Sequence, residues 1–291
     1  MKVSLLAENL QKKILYVNHA ISARSQLPIL LNFLIEARDG KLSIMATDLE
    51  IGIIVEIPAK IEEDGKVTIP AKIFTELTGA ISLNKITLQT KDNGLELLGE
   101  KIKTTFQTAP SEEFPKLFEE KGERIITMDK KIIDEDFSRV VFAASTDTGR
   151  PALSGVLIKE ESSGFLLVAT DGYRLSLKKH ALKNIKKNNS KKPISMLVPS
   201  RVLRELILMG KDAEGEVVEA YASRKSNQII FYQNETTLVG RLIEAEFPNY
   251  EKIIPTDFST KTVFDKDDLQ KAIKACFVFA RETAGIVKFS I

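Results

Sequence analysis

Tryptophan is absent from this 291-residue sequence, cysteine occurs once and histidine twice, and each scarcity excludes something. A single cysteine, Cys276, rules out an internal disulfide and fits a reducing compartment. It lies in an apolar helical pattern, where a small core residue is expected. The two histidines fall on a predicted helix (His19) and beside a lysine-rich loop (His180). Neither has a nucleophile or metal-ligand partner at a telling spacing, and both read as surface residues. No Gly-x-x-x-x-Gly-Lys loop is present to cradle a phosphate. No run approaches the roughly 20 apolar residues of a membrane span, and Glu8 stands where a signal peptide needs its apolar region. A cytoplasmic protein with no membrane partner is expected. An excess of one charge is also lacking: 42 Lys and Arg face 40 Asp and Glu, for a net charge of +2. Nothing global therefore demands nucleic acid or an acidic surface, and any electrostatic function must come from where the charges sit.

What is present is a repeat. Met45 to Ile51 reads Met-Ala-Thr-Asp-Leu-Glu-Ile, and Val168 to Leu175 reads Val-Ala-Thr-Asp-Gly-Tyr-Arg-Leu. Each copy follows a hairpin signal, Asp39-Gly40 or Ser163-Gly164, and before that an apolar run, Ile29 to Ile35 or Val156 to Ile158. Downstream, Val67 to Leu77 and Met196 to Leu206 both read as strand, proline and helix, with Pro70 and Pro199 at the junction. Each unit closes on Phe-Pro, at Phe114-Pro115 and Phe247-Pro248. The offset is 123 residues at the Ala-Thr-Asp and 133 at the Phe-Pro, a drift that a loop insertion at Lys183 to Lys192 would produce. The fold class is thus α+β, a tandem repeat of one unit. The length allows about two domains, and 43% hydrophobic residues supply sizeable cores.

In chain order, a strand at Lys2 to Leu6 precedes a helix whose stripe is Leu10, Ile14, Val17 and Ile21. Strands are expected over Ile29 to Ala37, Lys41 to Thr47 and Gly52 to Ile57. A second helix follows Pro70, with Ile73, Phe74 and Leu77 as its buried face, and hairpin strands flank Asp92-Asn93-Gly94. Phe118 to Arg124 is charged and aperiodic, a candidate linker. The second unit opens with a helix from about Asp134 to Ala144, with Phe137, Val140, Val141 and Ala144 inward. After a break at Pro255 to Ser259, a third helix turns Leu269, Ala272, Ile273, Cys276 and Phe277 inward, and Gly285 to Ile291 reads as a strand opening a third unit. The expected domains are 1–122, 123–258 and an incomplete 259–291. One helix and one strand cannot cover each other's apolar faces, so Leu269, Ile273, Phe277 and Phe289 are expected to be exposed or docked elsewhere.

On these residues the chain resembles the bacterial sliding clamp family, the β subunits of DNA polymerase III. The resemblance rests on Leu27-Pro28-Ile29-Leu30, Ala46 to Glu50, Arg150 to Gly155, Ala169 to Leu175, and Phe247-Pro248-Asn249-Tyr250 with Pro255 following. It implies three units per subunit, helices on the inner face and antiparallel sheets on the outer face, and two subunits joined head to tail into a ring. By that comparison this chain is truncated within its third domain, so the head-to-tail homodimer belongs to a full-length parent and not to this chain. The implied function is that of a DNA polymerase processivity factor with no cofactor and no chemistry of its own; nucleotidyl transfer belongs to the polymerase complex. The implied partners are double-stranded DNA without regard to sequence, the polymerase III α subunit, the clamp loader and other proteins carrying a clamp-binding motif.

A sliding ring needs weak, sequence-blind attraction to phosphates. Lys12, Lys13, Lys72, Arg139, Arg201, Arg204, Lys271 and Lys274 lie outside the apolar helix stripes and suit it, although exposed helix positions favour such residues in any protein. Arg24 matches a family loop that contacts DNA. Its second-unit counterpart, Arg150 to Ala152, carries Pro151, Ala152 and Asp147 where some members have aromatic or neutral polar residues. The resemblance also implies a hydrophobic pocket for a short linear peptide, formed by Arg150, Leu153, Thr170, Gly172, Tyr173, Arg174, Leu175, Pro248, Lys252 and Ile253. Two other readings stay open. One is a hydrolase using Asp48 or Asp171 with a carboxylate such as Glu50, although aspartate beside a turn more simply bonds its own backbone. The other is a monomeric peptide-binding adaptor that never surrounds DNA.

Overall fold

The computed structural model describes residues 1–22, 27–82, 84–91, 94–147, 149–162, 164–181, 194–209, 217–282 and 285–290. They fall into two compact units, Met1–Phe247 and Pro248–Ile291. Arg24, Asp92, Asn93, Ser163 and the 183–192 loop lie outside the described residues. Among the described residues, no helix is long and apolar enough to cross a membrane.

The first unit contains both copies of the repeat. In the first, β1 (Lys2–Leu6) runs into α1 (Ala7–Val17), and β2 (Asn32–Arg38), β3 (Lys41–Thr47) and β4 (Ile51–Pro58) follow. Next come β5 (Lys60–Glu63), β6 (Gly65–Pro70), α2 (Ala71–Ala80), β7 (Lys85–Lys91), β8 (Gly94–Leu98) and β9 (Lys103–Phe106). The second copy opens with β10 (Glu123–Asp129) and a helical stretch of α3 (Lys130–Ile132), a π-turn (Ile133–Phe137) and α4 (Ser138–Val141). It continues through β11 (Gly155–Glu161), β12 (Gly164–Thr170), β13 (Leu175–Ala181), β14 (Ser195–Pro199) and α5 (Ser200–Leu208). It ends with β15 (Val217–Ser223), β16 (Gln228–Gln233) and β17 (Thr236–Arg241).

Among the described residues the strands form three antiparallel sheets, ordered β5-β1-β7-β8-β9, β13-β12-β11-β14 and β10-β15-β16-β17-β4-β3-β2-β6. The last sheet crosses from one repeat to the other through β17 and β4, in the register Thr236↔Val55 to Gly240↔Ile51. Leu10, Ile14 and Val17 bury the expected stripe of α1. α2 departs from expectation: Ala71, Phe74 and Thr78 are buried, and Ile73 is 58% exposed. At about 100° per residue, position 73 falls off the stripe that 71, 74 and 78 share. Phe74 sits edge-on to Phe33 and Phe106 at centroid distances of 6.5 and 5.2 Å.

The expected linker is docked rather than loose. Gln228 Nε2 donates to the Leu117 carbonyl at 2.8 Å, and the Lys121 ammonium lies 4.3 and 4.2 Å from the ring centres of Tyr221 and Tyr232. Gly122 has φ +74°, and a Cβ there would stand 2.3 Å from the Ala222 carbonyl oxygen. A single extended pass held this way needs no apolar periodicity, so the sequence offers none.

The helix that opens the second repeat begins at Lys130, four residues before the expected Asp134, and a π-turn interrupts it over Ile133–Phe137. Within that turn Asp136 is 4% exposed. Its carboxylate accepts from His180 Nδ1 at 2.6 Å and lies 3.3 Å from Lys178 Nζ. His180 stacks on Phe165 at 5.1 Å. It is a half-buried network member and not the surface residue expected from sequence, because a carboxylate beneath β13 gives the ring a buried partner. Ser176 Oγ donates to the Arg139 carbonyl at 2.6 Å. At the repeat offset, Ser176, Lys178 and His180 correspond to Ile53, Val55 and Ile57 of β4, which are 0–1% exposed. The same inward stripe is apolar on the mid-sheet strand and polar on the edge strand β13, and inward-pointing polar groups on an edge discourage stray strand pairing.

Among its described residues the second unit contains a 3-10 turn, Tyr250–Lys252, and α6 (Lys266–Ala280), capped by Asp265, whose carboxylate accepts from the Asp267 and Asp268 amides at 2.9 and 3.0 Å. The strand expected over Gly285 to Ile291 does not form at residues 285–290. Cys276 and Ala272 are exposed rather than core residues, and Phe277 is exposed as expected of a helix whose apolar face has no partner. Among the described residues of this unit no strand forms to cover the apolar face of α6. Leu269 and Ile273 are partly covered, and Phe289 is exposed.

Candidate peptide site and nucleic-acid interface

The repeated Ala-Thr-Asp builds the same turn twice. Thr47 Oγ1 donates to the Ile51 carbonyl at 2.8 Å and accepts from the Leu49 amide at 3.0 Å. Asp48 Oδ1 accepts from the amides of Glu50 and Ile51 at 3.1 and 2.9 Å. In the second copy Thr170 Oγ1 donates to the Arg174 carbonyl at 2.7 Å and accepts from Gly172 at 3.1 Å. Asp171 Oδ1 accepts from Tyr173 and Arg174 at 2.9 and 3.0 Å. The residue after the aspartate has positive φ in both, 77° at Leu49 and 94° at Gly172. Glycine takes that conformation without strain, whereas leucine is held in it by the turn's bonds.

The second oxygen of each aspartate holds an arginine. Asp48 pairs with Arg201 of α5, whose guanidinium also donates to the His19 carbonyl at 3.3 Å. Asp171 Oδ2 accepts from Arg174 Nε at 2.9 Å. The amides of Arg174 and Tyr173 hold the Asp171 carboxyl below the usual aspartate range, as the Gly149 amide and Arg150 do for Asp147. These are committed carboxylates with structural partners, the opposite of what a general acid requires.

Around the second turn lie most of the residues expected in the peptide pocket. Arg150 Nε donates to Asp147 Oδ2 at 2.9 Å, and its Nη1 reaches the Asp171 carbonyl at 3.4 Å. Leu153 and Leu175 are partly exposed, Thr170 is buried, and Tyr173 is 95% exposed. Leu175 lies opposite the polar stripe of β13, so this strand turns leucine outward and polar residues inward. The Arg174 guanidinium lies 5.5 Å over the ring of Phe142, which is 53% exposed. Sequence reasoning missed Phe142; the signal was an aromatic off the helix stripe of Phe137, Val140, Val141 and Ala144. Pro248, Lys252 and Ile253 belong to the other unit, at and beside its 3-10 turn, with Ile253 exposed.

The basic residues expected to meet nucleic acid are grouped by helix packing. α2 packs on α1, and α4 on α5. Between the pairs, Tyr16 Oη donates to the Glu205 carbonyl at 2.9 Å, and His19 Nδ1 bonds the Glu205 carboxylate at 2.8 Å. Burial and the Glu205 charge push the Tyr16 hydroxyl pKa well up, so it stays a donor. The helices of both repeats thus form one layer in the order α2, α1, α5, α4. Lys72, Lys12, Lys13, Arg201, Arg204 and Arg139 all belong to it. Lys12 pairs with Glu8 at 2.8 Å, Lys13 reaches Thr236 Oγ1 at 3.4 Å, and Lys72, Arg139 and Arg204 are exposed. Arg201 is engaged by Asp48 at the junction of the repeats. On α6, Lys271 lies 3.4 Å from Asp268, and Lys274 is exposed. Arg24 is outside the described residues.

Comparison with known proteins gives consistent matches. Residues 1–118 match the family model of the DNA polymerase III beta subunit, N-terminal domain, and residues 127–249 that of its central domain. The chain is 27% identical to the beta sliding clamp of Synechococcus elongatus, covering 100% of this chain and 77% of that protein. It is 25% identical to the beta sliding clamp of Staphylococcus aureus, covering 93% and 72%. Among solved structures, it resembles the DNA polymerase sliding clamp of Bacillus subtilis with a TM-score of 0.89 at 25% identity, covering 97% of this chain and 75% of that one. For the DNA polymerase III beta subunit of Thermotoga maritima the TM-score is 0.85, with the same identity and coverage.

Proposed function

The chain belongs to the DNA polymerase III beta-subunit family, the bacterial sliding clamps, and from that premise we propose how its surfaces divide the work. The chain is a DNA polymerase processivity factor and a non-catalytic subunit. DNA and a polymerase are its partners. We further read the helix layer of its two repeats as the surface by which a head-to-tail clamp ring faces duplex DNA, and the second Ala-Thr-Asp turn as the place where clamp-binding peptides of the polymerase α subunit and the clamp loader are received. In domain terms we assign 1–122 and 123–258 to successive clamp units and 259–291 to a third. A cytoplasmic location accords with this role.

The observation that carries the DNA reading is the continuous helix layer of both repeats with Lys72, Lys12, Lys13, Arg204 and Arg139 along it. Arg201 is a weaker member because Asp48 already holds it. Arg24, Lys271 and Lys274 are assigned by the resemblance and by their place off the apolar stripes. Phosphate contact of this kind is blind to sequence and releases counterions. Arg204→Ala is therefore expected to lower affinity for every duplex alike and to flatten the salt dependence by roughly one unit of slope. A loss that depended on base sequence would contradict sliding. The ring itself is tested on plasmid DNA with a clamp loader. A clamp stays on the circle at a salt concentration that dissolves phosphate contacts and is lost on linearisation, whereas an adaptor behaves alike on both.

The pocket reading is supported by two half-exposed leucines, Leu153 and Leu175, beside Arg150 and Arg174 at one turn. Pro248, Lys252 and Ile253 are assigned by the resemblance alone. Leu175→Ala is expected to weaken binding of a short peptide with leucine and aromatic anchors by about 1–3 kcal/mol, read by fluorescence anisotropy. Unchanged affinity would remove this residue from the pocket.

A further inference from the structure

The arginines beside the second turn are each already neutralised by an aspartate of the same loop. Asp147 Oδ2 takes Arg150 Nε and Asp171 Oδ2 takes Arg174 Nε, both at 2.9 Å. Asp147 is anchored in turn, since its Oδ1 accepts the Gly149 amide at 2.9 Å and its own amide donates to Ser145 Oγ at 3.1 Å. Arg150 is thereby swung over the second turn, where its Nη1 meets the Asp171 carbonyl at 3.4 Å and lies 3.7 Å from where a Gly172 Cβ would be. Across these four side chains the formal charge sums to zero.

A guanidinium has five N–H donors. With Nε occupied, and Arg150 Nη1 also on the Asp171 carbonyl, each arginine keeps further Nη donors that have no hydrogen-bond partner among the described residues. A peptide carbonyl can take these without displacing anything. A glutamate or aspartate of the ligand gains no net attraction and meets the Asp147 charge beside Arg150, and like charges brought together are the means by which interfaces refuse wrong partners. We infer that Asp147 is a positioning and specificity-determining residue, holding Arg150 for backbone carbonyls of an apolar-anchored peptide and disfavouring acidic residues next to the anchors. This rests on the pocket reading above.

The test uses the whole chain and two labelled hexapeptides with the same leucine and phenylalanine anchors, one flanked by glutamines and one by glutamates. The wild type is expected to prefer the neutral peptide by about 5-fold. Asp147→Asn can keep the Gly149 bond but loses the charge. It should abolish or invert that preference, improve the acidic peptide by about 5–10-fold at low salt, and make its binding more salt-dependent. Asp147→Glu, which keeps the charge, should keep the preference. A merely structural role would weaken both peptides equally. An unchanged ratio in Asp147→Asn, or equal losses for both peptides, overturns the inference and leaves the pocket standing. Failure of the wild type to bind either peptide overturns the pocket and the inference together.

Discussion

Asp136→Ala is expected to lower the unfolding free energy by about 2–4 kcal/mol, at the lower side of what breaking a buried ion pair costs because its partners are partly solvated. The Asp136 carboxylate side chain is 5% exposed, against 32% for Lys178 and 21% for His180. Without it, two donors on the inward stripe of β13 face the helix layer with their acceptor gone. Urea denaturation followed by circular dichroism measures the loss, and a cost below about 1 kcal/mol would mean that water already does the aspartate's work. The first repeat supplies the complementary experiment, because Ile53, Val55 and Ile57 fill the same stripe there. A variant combining Asp136→Ala, Ser176→Ile, Lys178→Val and His180→Ile is expected to return to within about 1 kcal/mol of the wild type or to exceed it, since apolar replacements of a whole buried ionic cluster are often neutral or stabilising.

Phe74→Ala is expected to cost about 3–5 kcal/mol. The ring is fully buried and edge-on to two other phenylalanines, so truncation removes transfer energy, leaves a cavity and breaks both ring contacts. The discriminating control is its neighbour. Ile73→Ala should change stability by less than about 0.5 kcal/mol, because that side chain is largely in water. Equal costs for the two would mean that α2 is rotated from its observed setting.

Ile73 also marks where sequence reasoning reaches its limit. An apolar residue beside a buried one was assigned to the core because periodicity over ten residues cannot fix the phase of a short helix whose inner stripe includes a threonine, here Thr78. Much else was legible. The duplicated Ala-Thr-Asp, the hairpins and the strand-proline-helix junctions are local chemistry, and local chemistry repeats when a unit repeats. β13 was legible as a strand and illegible in orientation. Leu175 and Leu177 alternate with Ser176, Lys178 and His180, which on its own prescribes leucines inward. The opposite is observed because β13 is a sheet edge and a carboxylate lies beneath it, and both are tertiary facts. At the candidate site, the arginines and both aspartates were found from sequence, while Phe142 and the hold of the aspartates on the arginines were not. Their role depends on side-chain direction, which spacing does not carry.

The strand pair that joins the repeats also sets a schedule for synthesis. β4 carries Ile51, Ile53, Ile54, Val55 and Ile57, and the strand that finally pairs with its open side is β17, Thr236–Arg241. About 180 residues separate them, which at about 5–20 residues per second is roughly 9–36 s of translation. Through that interval the emerging chain presents an isoleucine-rich strand with its backbone donors and acceptors unclaimed, the kind of edge that recruits strands from neighbouring chains. Ribosome pausing before residue 236, or depletion of chaperones that shield nascent chains, should therefore convert this protein to aggregate more readily than the same delay placed after residue 241.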